Sequence, residues 1–332
     1  MKKIMNDPSN YTTDMLKGIY AAHKDHVGFV GDDLHCYKIL DQKPGKVAII
    51  TGGGSGHLPL FLGYVGKGML DGCAVGDVFQ SPSAEQIFEL TKALDGGAGT
   101  FYLYGNYTGD IMNFDMAAEL CEMEDIQTIS YAGADDVCSA PKEKKEIRRG
   151  VAGIFFIYKC AGAAADQMAS LKEVADIAKE VGERVRTMGF GLSPCIIPEV
   201  GKAGFSLEEN EVAIGMGIHG EPGISNGPMQ TASELAENIV QTILEDMPIS
   251  SGEQVAVLVN GLGSTPLDEL YIIYGEVEEL LKQRGISVYR NYIGEYATSM
   301  EMAGASVSIF HLNKKMIELL DHPASTPFFS QL

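Results

Sequence analysis

Basic residues are scarce in this chain. Its 25 lysines and arginines stand against 45 aspartates and glutamates, a formal charge of −20 over 332 residues. Such a surface repels a phosphate backbone, which argues against direct DNA or RNA binding and leaves any role in transcription to a partner that touches the DNA. No apolar run reaches the roughly 18 residues of a membrane-spanning helix. Residues 1–10 are polar and lack the apolar centre of a signal peptide. The six cysteines (Cys36, Cys73, Cys121, Cys138, Cys160 and Cys195) have no paired spacing, so reduced thiols and a cytoplasmic location are expected. There is no internal repeat, no low-complexity segment, no catalytic lysine and no metal-ligand set, and neither a metal nor a cofactor is expected. His23, His26 and His35 lack ligand-type partners and read as surface residues, while His311 and His322 read as structural.

Hydrophobic residues make up 45% and charged ones 21%, a globular composition long enough for two domains. Val47–Ile50, Thr100–Tyr104 and Thr128–Tyr131 are apolar runs of buried-strand type. Helical periodicity marks residues 11–25, Ile111–Cys121 and Ser170–Thr187, and Ser81-Pro82-Ser83 reads as a helix start before Ala84–Leu94. Pro59–Gly72 reads as helix and turn, and Lys142–Arg149 as a solvated loop or helix start. Around Met188–Gly191 the alternation pauses. Beyond it, Glu211–Ile214, Val255–Asn260, Ser287–Tyr292 and a half-buried Ala305–Leu312 read as strands, with helices at Ala232–Leu244 and Leu267–Gln283. Two α/β domains follow, residues 1–187 and 188–332, with the ligand site expected in the cleft between them.

Two glycine-rich turns stand out. Thr51-Gly-Gly-Gly-Ser-Gly-His57 closes the first strand, the edge at which open α/β sheets bind ligands, but lacks both the P-loop Lys-Ser/Thr pair and dinucleotide spacing. Asp110 sits at a second strand-to-helix junction. In Gly215–Gly223 a single histidine, His219, stands among four glycines and Pro222, leaving its ring little side-chain cover. A neutral imidazole offers a nucleophilic nitrogen near pH 7, so this turn suits capture of a small carbonyl compound. Each residue also has a plainer reading. His219 could be a turn residue, His57 a cap of the following helix, and Asp110 a cap at a helix N-terminus.

Four blocks in order, Thr51–His57, Asn106-Tyr-Thr-Gly-Asp110, Gly217-Ile-His-Gly-Glu-Pro-Gly223 and Val259–Leu267, resemble the signature blocks of the dihydroxyacetone kinase substrate-binding subunits, the DhaK family. The resemblance runs from about residue 15 to the C-terminus. It implies a homodimer that holds dihydroxyacetone as a hemiaminal on His219. His57 and Asp110 would bond the hydroxyls and assist phosphoryl transfer, with the Gly53, Gly54, Ser55 and Gly56 loop facing the substrate. The family subunit has no nucleotide site of its own, the phosphoryl donor being a nucleotide held by a separate subunit.

This chain departs from the kinase-competent pattern. Leu58 stands where such members carry Glu, Phe61 where they carry His, and Gly105 where a lysine precedes the Asn-Tyr-Thr/Ser-Gly-Asp block. A lysine there would stabilise a transferring phosphoryl group. The resemblance is therefore strongest to DhaQ-type coactivators, which bind dihydroxyacetone and partner a TetR-type DNA-binding regulator of the kinase operon. The kinase subunit with its nucleotide-carrying partner is the alternative. A lyase or isomerase using Asp110 as base comes last. The apolar Leu58–Leu62 set reads equally as core or as docking surface.

Overall fold

The computed structural model describes residues 2–221 and 223–332. Pro222 of the glycine-rich turn lies outside the described residues. The chain forms two compact units, both α/β, as the strand–helix alternation requires. The first comprises the residues up to Gly133, Phe156–Val181 and Glu318–Leu332; the second comprises Ala134–Phe155 and Gly182–Ile317. The chain thus passes between units at four points, where the sequence pattern offers one boundary, between 187 and 188.

Sheet one is built from β1 (Val27–Val30), β2 (Asp33–Ile39), β3 (Ala48–Ser55), β4 (Gly72–Val78), β5 (Thr100–Gly105) and β6 (Thr128–Gly133), in the order β1-β2-β4-β3-β5-β6. β3 runs parallel to both β4 and β5, and β5 parallel to β6. The helices of this unit are α1 (Tyr11–Ala22), α2 (Ala84–Leu94) and α3 (Thr108–Met123), then most of α4 (Ile154–Asp166) and α5 (Leu171–Glu183). α2 starts where Ser83 and Gln86 form a reciprocal capping box. The chain leaves β3 toward β4 on one side and leaves β5 toward β6 on the other. The carboxyl ends of β3 and β5 therefore form a topological switch point, where such sheets open a crevice.

Sheet two takes β7 (Val185–Ser193), β8 (Glu211–Ile214), β9 (Ser225–Pro228), β10 (Gln254–Gly261), β11 (Ser287–Gly294) and β12 (Ala303–His311), in the order β11-β10-β12-β7-β8-β9. Its core joins Val212, Val257, Val307 and Ile309 to the inner faces of α6 (Ala232–Asp246) and α7 (Leu267–Gln283). Buried Arg148 forks onto Asp246 at 2.9 and 2.7 Å, and Arg186 adds a third bond at 2.6 Å. Burial alone would raise the Asp246 carboxyl, but the two guanidiniums outweigh it and hold it at about 2.

Several expectations are corrected. Pro59–Gly72 is not helical beyond a single 3-10 turn, Leu62–Tyr64, because Phe61 takes a φ of 65° and three glycines interrupt the run. Leu60, Phe61 and Leu62 are buried and Leu58 is half-buried, so of the large apolar side chains in that set all but Leu58 are core. The helix expected to reach Thr187 stops at Glu183. The apparent pause at Met188–Gly191 is the middle of β7, whose glycines permit close approach: a Cβ on Gly191 would lie 2.7 Å from the Met216 sulfur. β12 is buried along nearly its whole length, since it lies between β10 and β7. The Lys142–Arg149 run is exposed only to Ile147, after which Arg148 and Arg149 turn inward to carboxylates. The β1–β2 hairpin and β4 were not read as strands, because glycines and charged residues break up their short apolar stretches.

The first unit is closed by its last segment. Lys159 of α4 is fully buried, and its ammonium donates to the carbonyls of Leu319 and His322 at 3.3 and 2.5 Å. α8 (Lys314–Asp321) leads into this segment, and the strand pair β13 (Ala324–Ser325) and β14 (Ser330–Gln331) follows. His322 is structural, as expected: its Nε2 meets Asp166 at 2.8 Å.

Among the described residues no helix is long and apolar enough to cross a membrane, and no group of three or more histidine, cysteine or acidic residues is placed to hold a metal ion. All six cysteines are free thiols.

Candidate functional site

In the first unit, Gly52–Ser55 form the carboxyl end of β3, and Gly56 follows with a φ of 99° that suits only glycine. His57 comes next and is buried. No α-helix follows it, so it caps none; its carbonyl instead accepts from the Leu60 N–H in a turn. The imidazole is stacked on Phe79 at 4.7 Å between centroids and meets the Phe61 ring edge-on at 6.0 Å. Phe61 also packs against the glycine strand: a Cβ built on Gly53 would stand 2.3 Å from that ring. Gly54 serves the other neighbour, since a Cβ there would stand 2.7 Å from the backbone of Phe79 and Gln80. The glycines of this loop are thus required by aromatic packing and chain approach. The Ser55 hydroxyl shares a buried hydrogen bond of 2.8 Å with Thr12 of α1.

Asp110 is the third residue of α3, not its cap; that position belongs to Tyr107. It is buried in the first helical turn, where a carboxylate is favoured by the helix dipole. Burial and then the Asp110 charge push the Cys73 thiol well up. Phe114, one turn further along α3, stacks on Tyr104 of β5 at 4.1 Å with planes 6° apart and locks the helix onto its strand. His57 and Asp110 therefore follow the two strands that flank the switch point, within one unit.

His219 belongs to the second unit. It follows β8 in the turn that Gly215 opens with a φ of 77°. Its side chain is 21% exposed, and Nδ1 lies 2.9 Å from Glu221 Oε1 while its backbone N–H donates to Glu221 Oε2 at 2.9 Å. Arg149 Nη1 stands 3.7 Å from Glu221, donates through Nη2 to the Gly215 carbonyl at 3.1 Å, and is held in turn by Asp136 at 2.7 Å. Burial works against the Glu221 charge, yet the hydrogen bond and charge of His219 and the Arg149 guanidinium outweigh it and hold the carboxyl at about 2. Burial pushes Asp136 up to about 6, with Arg149 opposing.

Near pH 7 Glu221 is therefore an acceptor only, so the proton of a neutral His219 sits on Nδ1 and the lone pair on Nε2. Neither Glu221 nor the Arg149–Asp136 pair was singled out from sequence. The signal was present for Glu221, two residues beyond the histidine in the same turn. Nothing local connects Arg149 to it. The glycine of the turn answers to this network: a Cβ on Gly217 would stand 2.3 Å from Glu221 Oε2 and 2.8 Å from Arg149 Nη1.

Comparison with known proteins places these features in context. A family model described as the Dak1 domain matches residues 17–328. The dihydroxyacetone-binding subunit DhaK of PTS-dependent dihydroxyacetone kinase 1 from Listeria innocua is 42% identical over 327 residues, which cover 98% of this chain and 99% of that one. D-erythrulose kinase from Mycolicibacterium smegmatis is 39% identical over 331 residues, the whole of this chain but 57% of that protein. Among solved structures, the dihydroxyacetone kinase operon co-activator Dha-DhaQ superposes with a TM-score of 0.90 at 30% identity, covering 96% of this chain and 98% of the other.

Proposed function

This chain belongs to the Dak1 family, and from that premise we propose that it binds dihydroxyacetone as a hemiaminal on His219. It then acts, as a homodimer, as the ligand-responsive coactivator of a TetR-type regulator of the dihydroxyacetone kinase operon. The observation that carries the binding step is the 2.9 Å contact between His219 Nδ1 and a Glu221 held ionised. It leaves Nε2 as the nucleophile. The Nε2 lone pair attacks the ketone carbon and the C=O π bond opens onto oxygen. The adduct nitrogen's positive charge is relieved as the Nδ1 proton leaves by way of Glu221, which stays ionised. The same proton, carried through solvent, ends on the new alkoxide, so the neutral hemiaminal forms with no net gain or loss of protons. His57 and Asp110 are assigned the ligand's hydroxyls, and the backbone of Gly53–Gly56 the remaining oxygens.

Coactivation is preferred over phosphoryl transfer because of what fills the glycine loop. Phe61 places an aromatic ring beside Gly53 where transfer chemistry needs charge, and Gly105 contributes no cation. The similarity to the Dha-DhaQ coactivator supports the same choice. The second reading, a substrate-binding kinase subunit, is favoured by the full-length similarity to the Listeria innocua DhaK subunit. A ligand switches a protein only through its differential affinity for two states, and a bond that forms in one alignment alone supplies such a differential.

The test uses dihydroxyacetone labelled with ¹³C at the ketone carbon. Binding should convert the carbonyl resonance into that of a tetrahedral carbon, and His219→Ala should abolish the conversion. With a nucleotide-loaded kinase partner added, no dihydroxyacetone phosphate should form. Turnover in that mixture selects the kinase-subunit reading, and an unchanged carbonyl signal removes the hemiaminal.

A further inference from the structure

Helix α3 has an unusual outer face. Its inner side is ordinary core, with Phe114, Ala117 and Cys121 fully buried. A helix covered on one side normally turns polar residues outward. Here Met112, Met116 and Met123 are exposed by 59, 53 and 74%. At about 100° per residue these three fall within roughly 40° of one another, a single stripe along the solvent side. Leu120, half-buried, widens it on one edge. Asp115, Glu119 and Glu122, all exposed, interrupt and border the stripe on the other. The helix contains no lysine or arginine to neutralise them. Beyond Glu119 and Glu122 opens a groove lined by Asp125, Thr128, Ile129 and Leu171, so the acidic border runs into a concave surface of the same unit.

We propose that this face of α3 is a docking surface for an amphipathic helix with a basic polar side, carried by a different protein. Flexible, polarisable methionine side chains suit a groove-like contact with an apolar helix face. Charge selects the partner. Lysines or arginines flanking the partner's apolar stripe would meet Asp115, Glu119 and Glu122 and reach the acidic groove. A second copy of this chain would instead bring those carboxylates onto their own images, on a molecule already carrying −20. Leu60, Phe61 and Leu62 offer no competing surface in the first unit, since they are core. The inference does not depend on what His219 binds.

The probe is a fluorescent 18-residue peptide of leucine and lysine with helical periodicity, titrated into the full chain labelled with ¹³C at its methionine methyls. Saturable shifts should appear at Met112, Met116 and Met123, while Met168 and Met229, also exposed, serve as internal controls and stay still. Met112→Ser with Met116→Ser should weaken peptide binding at least tenfold, and Glu119→Lys with Glu122→Lys by a similar factor. These four positions are exposed, so folding is preserved, which an unchanged thermal midpoint verifies. A leucine–glutamate peptide of the same pattern should not bind. Shifts centred on Met229, or a lysine peptide indifferent to both double variants, overturn the proposal. So does a chain dimer dispersed by the serine substitutions, which would assign the face to self-association.

Discussion

Replacing Glu221 tests the chemistry most directly. Its carboxyl is held at about 2, down from 4.5, by His219 and Arg149. That drop corresponds to an interaction favouring the ionised form by roughly 3 kcal/mol, shared between the two partners. Glu221→Gln keeps an acceptor for the Nδ1 proton but exchanges a charged hydrogen bond for a neutral one, a loss of about 1–1.5 kcal/mol. Adduct affinity should therefore fall about tenfold. Glu221→Ala removes the acceptor as well, frees the tautomer, and leaves Arg149 facing the imidazole; a loss of about a hundredfold is expected. The assay is the ¹³C conversion of the labelled ketone, titrated at pH 7.5. Because Glu221 also holds the His219 backbone N–H, thermal midpoints of both variants must be measured, and ¹⁵N spectra of the imidazole should show the proton leaving Nδ1 in the alanine variant only. If Glu221→Ala forms the adduct as tightly as the parent, the orienting role is refuted even when His219→Ala still abolishes binding.

Other outcomes follow from the packing and the charges. Gly53→Ala must displace the Phe61 ring, at a cost of about 1–3 kcal/mol in urea unfolding, and the double variant with Phe61→Ala should recover part of it. Asp246→Asn leaves Arg148 and Arg186 buried without their counter-charge and should cost about 3–5 kcal/mol, seen as a lower thermal midpoint. Glu221 and Asp246 both ionise more readily folded than unfolded, so their stabilisation is complete above about pH 4.5 and drains away as pH falls toward 2; urea midpoints that stay level from pH 5 to 3 would contradict this. Asp136 acts in the opposite sense: pushed up to about 6 from 3.8, it lowers stability as pH rises through that window, so Asp136→Asn should flatten the pH 4–6 slope.

The fold class was legible because buried parallel strands advertise themselves: β3 opens on a continuous apolar run, β5 and β10 are built around one, and α6 and α7 have clean periodicity. β4 (Gly72–Val78) was not, since its two glycines and an aspartate resemble a turn. β7 hid for the same reason, its glycines answering to Met216, which is distant in sequence. Of the candidate site, the loops and their strand-end placement were readable, because glycine and histidine types carry that signal locally. What surrounds them was not. Phe79 stacks on His57 from 22 residues away and Arg149 reaches Glu221 from 72 away, so only tertiary structure reveals either. Asp110 illustrates the middle ground. Its position in the first turn of a helix was evident, but its burial required Phe114 to clamp that helix onto β5.

The clasp of Lys159 by the Leu319 and His322 carbonyls has a consequence for biosynthesis. A fully buried ammonium draws on those two acceptors, and they lie some 160 residues downstream. While the chain is still emerging from a ribosome, the sheet that is translated first must wait, with α4 unsealed, until residues 318–332 have come through the exit tunnel. The half of the molecule that begins earliest is thus the one that finishes last.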